Sequence, residues 1–422
     1  MGKQKTFTEF DIQRQPTQPI VLDGPRPLPE ALPAEVLAAF AAIKKRRELL
    51  ACDAYERHAE QLMALTFALE HRPAASPPPP PPSSRQGLRV AAWNIQRGKR
   101  IELFVRFLRE DPVVSQADVL LLAEVDVGMA RSQNRHVAAE LAEALGYHVV
   151  FGNSYVCLDF GDARDGAVAG QNRESLHGNA ILSRYPIRRA ENVSLAITKD
   201  KFLSSEKRLG HKKALWAELE TPLGALPVAV AHLDAYAAAA QRGAQLDDLL
   251  TKLDAAHGDH SRVLVGGDLN TNTYDAGSVG QIVRNLWHKL WRGGFPHAIH
   301  HYVHPYELYE RAVFEPLEAR GYDYQGFNAP AVGTTRYEVG TFESESTVSE
   351  QLPSIAVKIL RWKLRPWGGV APIKVDWFAG RQLEALSEAA NADNVSPTPI
   401  AKPTVDEVRL SDHDPIVVDV SW

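Results

Sequence analysis

Cysteine is scarce in this 422-residue chain, which has only Cys52 and Cys157. Two thiols far apart, outside any metal-ligand spacing, exclude a disulfide framework and a thiolate zinc site. A reducing compartment is therefore expected, and with it a cytoplasmic location. Positive charge is not in excess either. The formal net charge of −5 gives no global positive field, so non-specific nucleic-acid binding would need a local basic patch. No apolar run reaches the roughly 18 residues of a membrane span, and Met1 to Pro19 lacks a basic stretch followed by an apolar core. Neither membrane insertion nor secretion is expected. A composition of 45% hydrophobic and 23% charged residues also excludes a disordered or fibrous class.

What is present divides into three parts. Leu32 to His71 carries strong helix formers and no glycine, with Pro33 placed at a helix start. One long helix or two are expected there, so residues 1–72 read as an N-terminal helical appendage. Residues 73–87 hold six consecutive prolines, Pro77 to Pro82. Such a run forms a semi-rigid polyproline spacer, read as a linker. From Leu88 to the end, short apolar runs such as Val119–Leu122, Val228–Ala231 and Val263–Val265 alternate with helical patterns such as His136–Leu145 and Ala237–Ala256. Sheets covered by helices are expected over 88–422.

Polar residues stand where several of these strands end. Asn94 follows Val90–Trp93, Glu124 follows Leu120–Ala123, and His232 follows Val228–Ala231. Asp268 and Asn270 follow Val263–Gly267, and Asp376 follows Ile373–Val375. Side chains at such positions converge at one end of a sheet. Oxygen donors without cysteine suit Mg²⁺, or Mn²⁺, better than zinc. Each residue alone has a plainer reading, as a turn cap, a salt bridge or a core histidine.

The set resembles the endonuclease/exonuclease/phosphatase superfamily, the deoxyribonuclease I-like proteins, over residues 88 to 422. The resemblance rests on seven blocks in the family's order: Trp93–Gln96, Ala123–Asp126, Gly178–Pro186, His232-Leu233, Gly267–Asn270, Val375–Trp377 and Ser411–Pro415. It implies an α/β fold, a four-layer α-β-β-α sandwich of two packed mixed sheets flanked by helices. It also implies a magnesium-dependent (or manganese-dependent) phosphoesterase in which water attacks the phosphorus in line. Glu124 would be the principal metal ligand, with Asn94 and Asp412 contributing. His413 paired with Asp376 would orient or deprotonate the water, Asp268 and Asn270 would position water and phosphate, and His232 would contact the phosphate or act as acid. Asn179, in the third block, is a candidate for substrate binding. Gln96 and His232 depart from the apurinic endonucleases, which carry an acidic residue and a tyrosine at those places.

The substrate is less legible. Arg131 directly follows the Glu124 strand and is the first candidate for anion binding, ahead of the basic group Lys207, Arg208, His211, Lys212 and Lys213, which reads as a solvated turn. Basic and aromatic residues interleave in Leu286–Arg292 and Lys358–Trp367, a pattern suited to core packing, to a membrane-lipid surface or to nucleic-acid bases. His297, His300, His301 and His304 read as a loop face, with a second metal as the rival reading. Small or lipid-linked phosphoesters are the expected substrates. The alternatives are an endo- or exonuclease on DNA or RNA, and a catalytically silent scaffold that binds phosphorylated ligands. A protein partner for the N-terminal helix or the proline tract stays open.

Overall fold

The computed structural model describes residues 17–76, 78, 85–162, 165, 168–235, 237–272, 287, 291, 293–338, 358, 362–389 and 391–422. Within them the apolar runs form strands buried along nearly their whole length, among them Leu88–Arg97, Val119–Val127, His148–Cys157 and Leu176–Ser183. A strand apolar on both faces needs cover on both. The chain supplies it by packing two sheets face to face and laying helices on the outside.

One sheet has six strands in the order Ile20–Val21, Ile187–Ser194, Lys213–Thr221, Gly224–His232, Val263–Asp268 and Asp376–Arg381. The other runs Glu384–Ala385, Ile416–Ser421, Leu88–Arg97, Val119–Val127, Leu176–Ser183, His148–Cys157 and Leu69–Arg72, with two short strands beside it. Each sheet is mixed through one parallel pair: Gly224–His232 with Val263–Asp268, and Leu88–Arg97 with Val119–Val127. Between the sheets, Val90, Ala92, Val119, Leu121 and Ile181 meet Leu215, Ala217, Val228, Val230, Leu264 and Phe378. The alternate residues face outward. Trp216, Ala229 and Val263 pack on Leu246, Leu249, Leu250 and Leu253 of the Ala239–His257 helix. On the opposite outer face Ala91, Trp93, Leu120 and Leu122 pack on Phe104 and Phe107 of the Ile101–Glu110 helix and on Leu141 of Val137–Leu145. This is the expected four-layer α-β-β-α sandwich.

The N-terminal region read as a helical appendage packs on the main domain and adds two strands to it. Helices Ala34–Ala42, Arg46–Leu50 and Asp53–Thr66 send Phe40, Leu49, Leu62 and Leu65 into the same outer core. Its two strands complete both sheets: Ile20–Val21 pairs with Ile187–Ser194, and Leu69–Arg72 pairs with His148–Cys157. An unpaired strand edge draws in any chain able to bond it, and this segment covers one edge of each sheet. The proline run at 77 and 79–82 lies outside the described residues, as do most of 286–292 and 359–361. The histidines expected on a loop stand instead on a helix, Gly294–Val303, whose C-terminal cap is His304. No helix among the described residues is long and apolar enough to cross a membrane.

Candidate functional site

Three chemistry-bearing residues stand side by side because the ladder of the six-stranded sheet puts them there. His232 is paired with Asp268, and Asp268 with Asp376. Cross-strand partners share a face and lie close, so register alone gathers an imidazole and two carboxylates at one sheet end. Gly267 permits it: its φ is +130°, and a Cβ there would sit 2.2 Å from the Ala231 carbonyl oxygen.

In the other sheet regular pairing breaks where the site begins. Register shifts fall between Asn94 and Arg97 and between Leu122 and Val125, and Gln96, Arg97 and Glu124 have φ of 46°, 76° and 54°. Bulges re-aim side chains. These turn Asn94 and Glu124 into a cavity of about 230 Å³ that Asp268, Asn270, His232, Asp412 and His413 also line. The two sheets thus deliver one half of the site each, and the Ser411–Pro415 loop closes it.

The hydrogen bonds hold this set rigidly. Asp268 accepts from the Asn270 backbone N–H (2.8 Å), from Asn270 Nδ2 (3.1 Å) and from Asn94 Nδ2 (3.1 Å). His413 Nδ1 lies 2.9 Å from Asp376 Oδ2, and its Nε2 lies 3.9 Å from Asp268 Oδ2. A ring nitrogen bound to a carboxylate carries the proton, so Nδ1–H donates and Nε2 faces the cavity. His232 Nε2 lies 3.6 Å from Asp268 Oδ2 and 3.9 Å from Glu124 Oε1. Sequence reasoning missed Thr334, whose hydroxyl oxygen accepts the Asp376 N–H at 3.0 Å and whose carbonyl accepts the Asp414 N–H at 2.7 Å. It braces Asp376 against the loop that carries His413. A lone threonine far from any strand-end block carries no signal that could have marked it.

Environment sets the two histidines apart. Burial works against charge on His413, but Asp376 and Asp268 outweigh it and hold the ring well above the usual histidine range. Burial, with the Lys212 cation nearby, holds His232 well below it. Burial also pushes the Asp268 carboxyl up to about 7, with His413 opposing and Asp376 adding to the rise. Histidines separated in this way can divide the work of moving protons.

The donors available to a cation are the carboxylates of Glu124 and Asp412 and the amide oxygen of Asn94, which also accepts the Gln96 N–H at 3.1 Å. Hard oxygens without thiolate fit Mg²⁺ or Mn²⁺. Asp376 Oδ1 is buried without a hydrogen-bond partner among the described residues, which leaves that carboxyl unused acceptor capacity.

The lining also carries opposed charges. Lys199, Lys201, Lys212, Arg97 and Arg208 line the cavity together with Asp162, Glu206 and Asp234, and Lys201 pairs with Asp234 at 3.1 Å and Arg97 with Asp162 at 2.7 Å. Here the structure corrects the reading of the Lys207–Lys213 turn as solvated: His211 and Lys213 are buried, and Lys212 faces the cavity, where burial brings its ammonium down to about 8. Arg131 and Asn179, expected at the substrate, do not line the cavity. Arg131 binds both oxygens of Asp126 at 2.7 and 2.9 Å and Glu206 at 2.8 Å. Asn179 lies mid-strand and donates to the Lys213 carbonyl at 2.8 Å. The carboxylates of Asp162, Asp165 and Glu206 cluster together, with Asp162 and Glu206 on the cavity lining. Arg97, Lys99, Arg131 and Arg208 already neutralise them.

A family model described as "Endonuclease/Exonuclease/phosphatase family" matches residues 91–305, more than half of the chain. Among solved structures, an endonuclease/exonuclease/phosphatase from Beutenbergia cavernae DSM 12333 is similar at 18% identity, over 80% of this chain and 72% of that one, with a TM-score of 0.45. The human Nocturnin catalytic domain with a bound sulfate anion is 18% identical over 79% of this chain and 93% of that one, at 0.44. A variant of the 3′ phosphatase NExo from Neisseria, bound to a product DNA hairpin, is 13% identical over 79% and 100%, at 0.41. The comparison with curated proteins finds no match.

Proposed function

Because the chain belongs to the endonuclease/exonuclease/phosphatase family, which includes metal-dependent nucleases and phosphatases, we propose that it hydrolyses a phosphoester with a divalent cation, Mg²⁺ or Mn²⁺, in this cavity. The observation that carries the reading is the contact of His413 with Asp376 at 2.9 Å, in a cavity that also gathers Asn94, Glu124 and Asp412. Glu124, Asp412 and Asn94 hold the cation. When bound, it polarises the phosphoryl oxygen and offsets the carboxylate charge around His413. Asp376 holds Nδ1–H of His413, so that Nε2 orients the attacking water and takes its proton. Asn270, locked to Asp268 and to the Leu233 carbonyl, positions the water and the phosphate. His232, kept neutral by burial, donates to a phosphate oxygen or to the leaving oxygen.

The substrate we propose is a small or lipid-linked phosphoester rather than a long nucleic acid. A site of about 230 Å³ lined by Lys199 and Lys212, beside the Lys201–Asp234 and Arg208–Glu206 ion pairs, suits a compact anion. We place it in the cytoplasm, in keeping with two unpaired cysteines. Plasmid DNA, RNA, sphingomyelin, inositol phosphates and bis-p-nitrophenyl phosphate, each tested with Mg²⁺, separate the readings. Turnover of one of the last three, abolished by EDTA and restored by Mg²⁺ or Mn²⁺, is the expected result. Nucleic-acid cleavage alone would favour the nuclease, and hydrolysis of nothing would favour a binding scaffold.

A further inference from the structure

Helix Gly294–Val303 ends at His304, and the turn Pro305–Glu307 folds back beside it. His300 and His304 are four residues apart and so occupy one face, one turn from each other. Their rings stack, with centroids 4.3 Å apart and planes at 21°. Glu307 Oε2 lies 2.8 Å from His300 Nε2, so a proton sits between them that a bound metal would displace into solvent. One donor atom from each of His300, His304 and Glu307 lies within 4.8 Å of the other two. We infer that these three residues form a second metal site, separate from the catalytic cavity, that takes a borderline transition-metal dication such as Zn²⁺ with water in the fourth position.

Three features point to a metal rather than to a surface hydrogen bond. The first is the tautomer. His304 Nδ1 stands 3.1 Å from the His300 carbonyl oxygen. A carbonyl only accepts, so Nδ1 carries the proton and Nε2 keeps its lone pair. That support from a backbone carbonyl is how metal-ligating imidazoles are commonly oriented. The second is donor chemistry: two imidazoles and one carboxylate suit Zn²⁺ and its transition-metal neighbours, whereas the hard oxygens of Asn94, Glu124 and Asp412 suit Mg²⁺. The third is reach. Ligands at about 2.0–2.1 Å around a tetrahedral zinc stand roughly 3.3 Å apart. The side chains of His300 and Glu307 are 49% and 42% exposed, so rotation about their χ angles closes the set without breaking buried packing.

The helix that carries the site also holds segments that lead into the cavity. The Tyr302 carbonyl accepts the Lys374 N–H at 2.9 Å and Asn272 Nδ2 at 3.1 Å. Lys374 and Asn272 stand two residues from Asp376 and Asn270. A metal joining His300 and His304 to Glu307 would fasten the helix end on which both segments lean. This last consequence rests on the proposed function, and the metal site itself does not.

Calorimetric titration of the full chain with Zn²⁺, in excess Mg²⁺, tests the site. The wild type should bind one equivalent more than the His300→Ala/His304→Ala variant. Glu307→Gln should weaken that equivalent by roughly 10–100-fold, the loss typical even of a supporting group at a metal site. Co²⁺ should give the wild type the intense visible band of a tetrahedral ion, and the double variant should lack it. Melting in EDTA checks that the double variant folds. If it melts lower, Glu307→Gln, which keeps both histidines, carries the comparison. Equal zinc stoichiometry and affinity in wild type and variants, or no zinc bound by the wild type, would overturn the proposal. Loss of hydrolysis on every substrate would sink the proposed function and leave the zinc count standing, so the two failures are distinguishable.

Discussion

His413 is the one imidazole at the site whose Nδ1 is anchored by a carboxylate, Asp376 at 2.9 Å. Substitution by alanine removes both the proton acceptor and the partner of a buried charge. His413→Ala should therefore lower turnover roughly 10²–10⁴-fold, the usual cost of a positioned acid or base, and should also lower the melting temperature, because buried Asp376 loses its partner. Steady-state kinetics under saturating Mg²⁺ decides it, and full activity would remove His413 from the mechanism. On the cavity lining Glu206 governs a different property. Burial opposes its charge, but Arg208 and Arg131 hold its carboxyl down to about 2, below the ordinary 4.5. A carboxyl depressed on folding stabilises fully above its unfolded value and loses that stabilisation as pH falls toward the folded one. The chain should thus lose on the order of 3 kcal/mol between about pH 4.5 and pH 2 from this group. Glu206→Gln should be less stable at pH 7, where it leaves three arginines short of a partner. Its melting temperature should also depend less steeply on acid, and denaturation scans across that window measure both.

At the scale of elements, the site depends on departures from regular sheet. Register shifts in Leu88–Arg97 and Val119–Val127 aim Asn94 and Glu124 inward, and a glycine in a conformation other residues avoid seats Asp268 beside His232. Positive φ and close backbone approach act together at Gly267, where an added Cβ would meet the Ala231 carbonyl oxygen at 2.2 Å. Something must move. Gly267→Ala should lower the melting temperature and separate the His232–Asp268 pair, so activity should fall even at temperatures where the variant stays folded. Circular dichroism melts with kinetics at low temperature test this, and a fully active variant of normal stability would show that the strand end tolerates the shift.

For the whole molecule, the N-terminal segment is part of the sandwich. Phe40, Leu49, Leu62 and Leu65 lie in the outer core, and full burial of such side chains is worth about 1.5–3 kcal/mol each. Leu69–Arg72 also caps the edge of the larger sheet. A chain beginning at residue 88 should therefore expose that edge and an apolar face and should aggregate or melt well below the full chain. A soluble, equally stable and active truncation would mean that the segment is a true appendage. Size-exclusion chromatography and thermal melts give the answer.

Much of this is legible in the linear chain, and what is legible has a common cause. Strands buried on both faces write themselves as unbroken apolar runs, and residues at their ends follow at fixed offsets. Asn94, Glu124, His232, Asp268, Asn270 and Asp376 are therefore visible as a set. Asp412 and His413 join them through the family's last block, and the structure brings all eight together. Local pattern cannot say which distant side chain will neutralise a charge. Arg131 reads as an anion binder because it follows a ligand strand, yet Asp126 and Glu206 claim it. Lys212 reads as solvated because its neighbours are basic, yet the fold turns it into the cavity. Chain periodicity determined that sheets are covered by helices and which polar residues stand at strand ends, while the four layers and the roles of those residues came from the resemblance to the family. Tertiary structure decided charge partners such as Glu206 for Arg131, the bracing by Thr334 and the seating of the N-terminal strands, because each depends on contacts between segments whose separation along the chain carries no local signal.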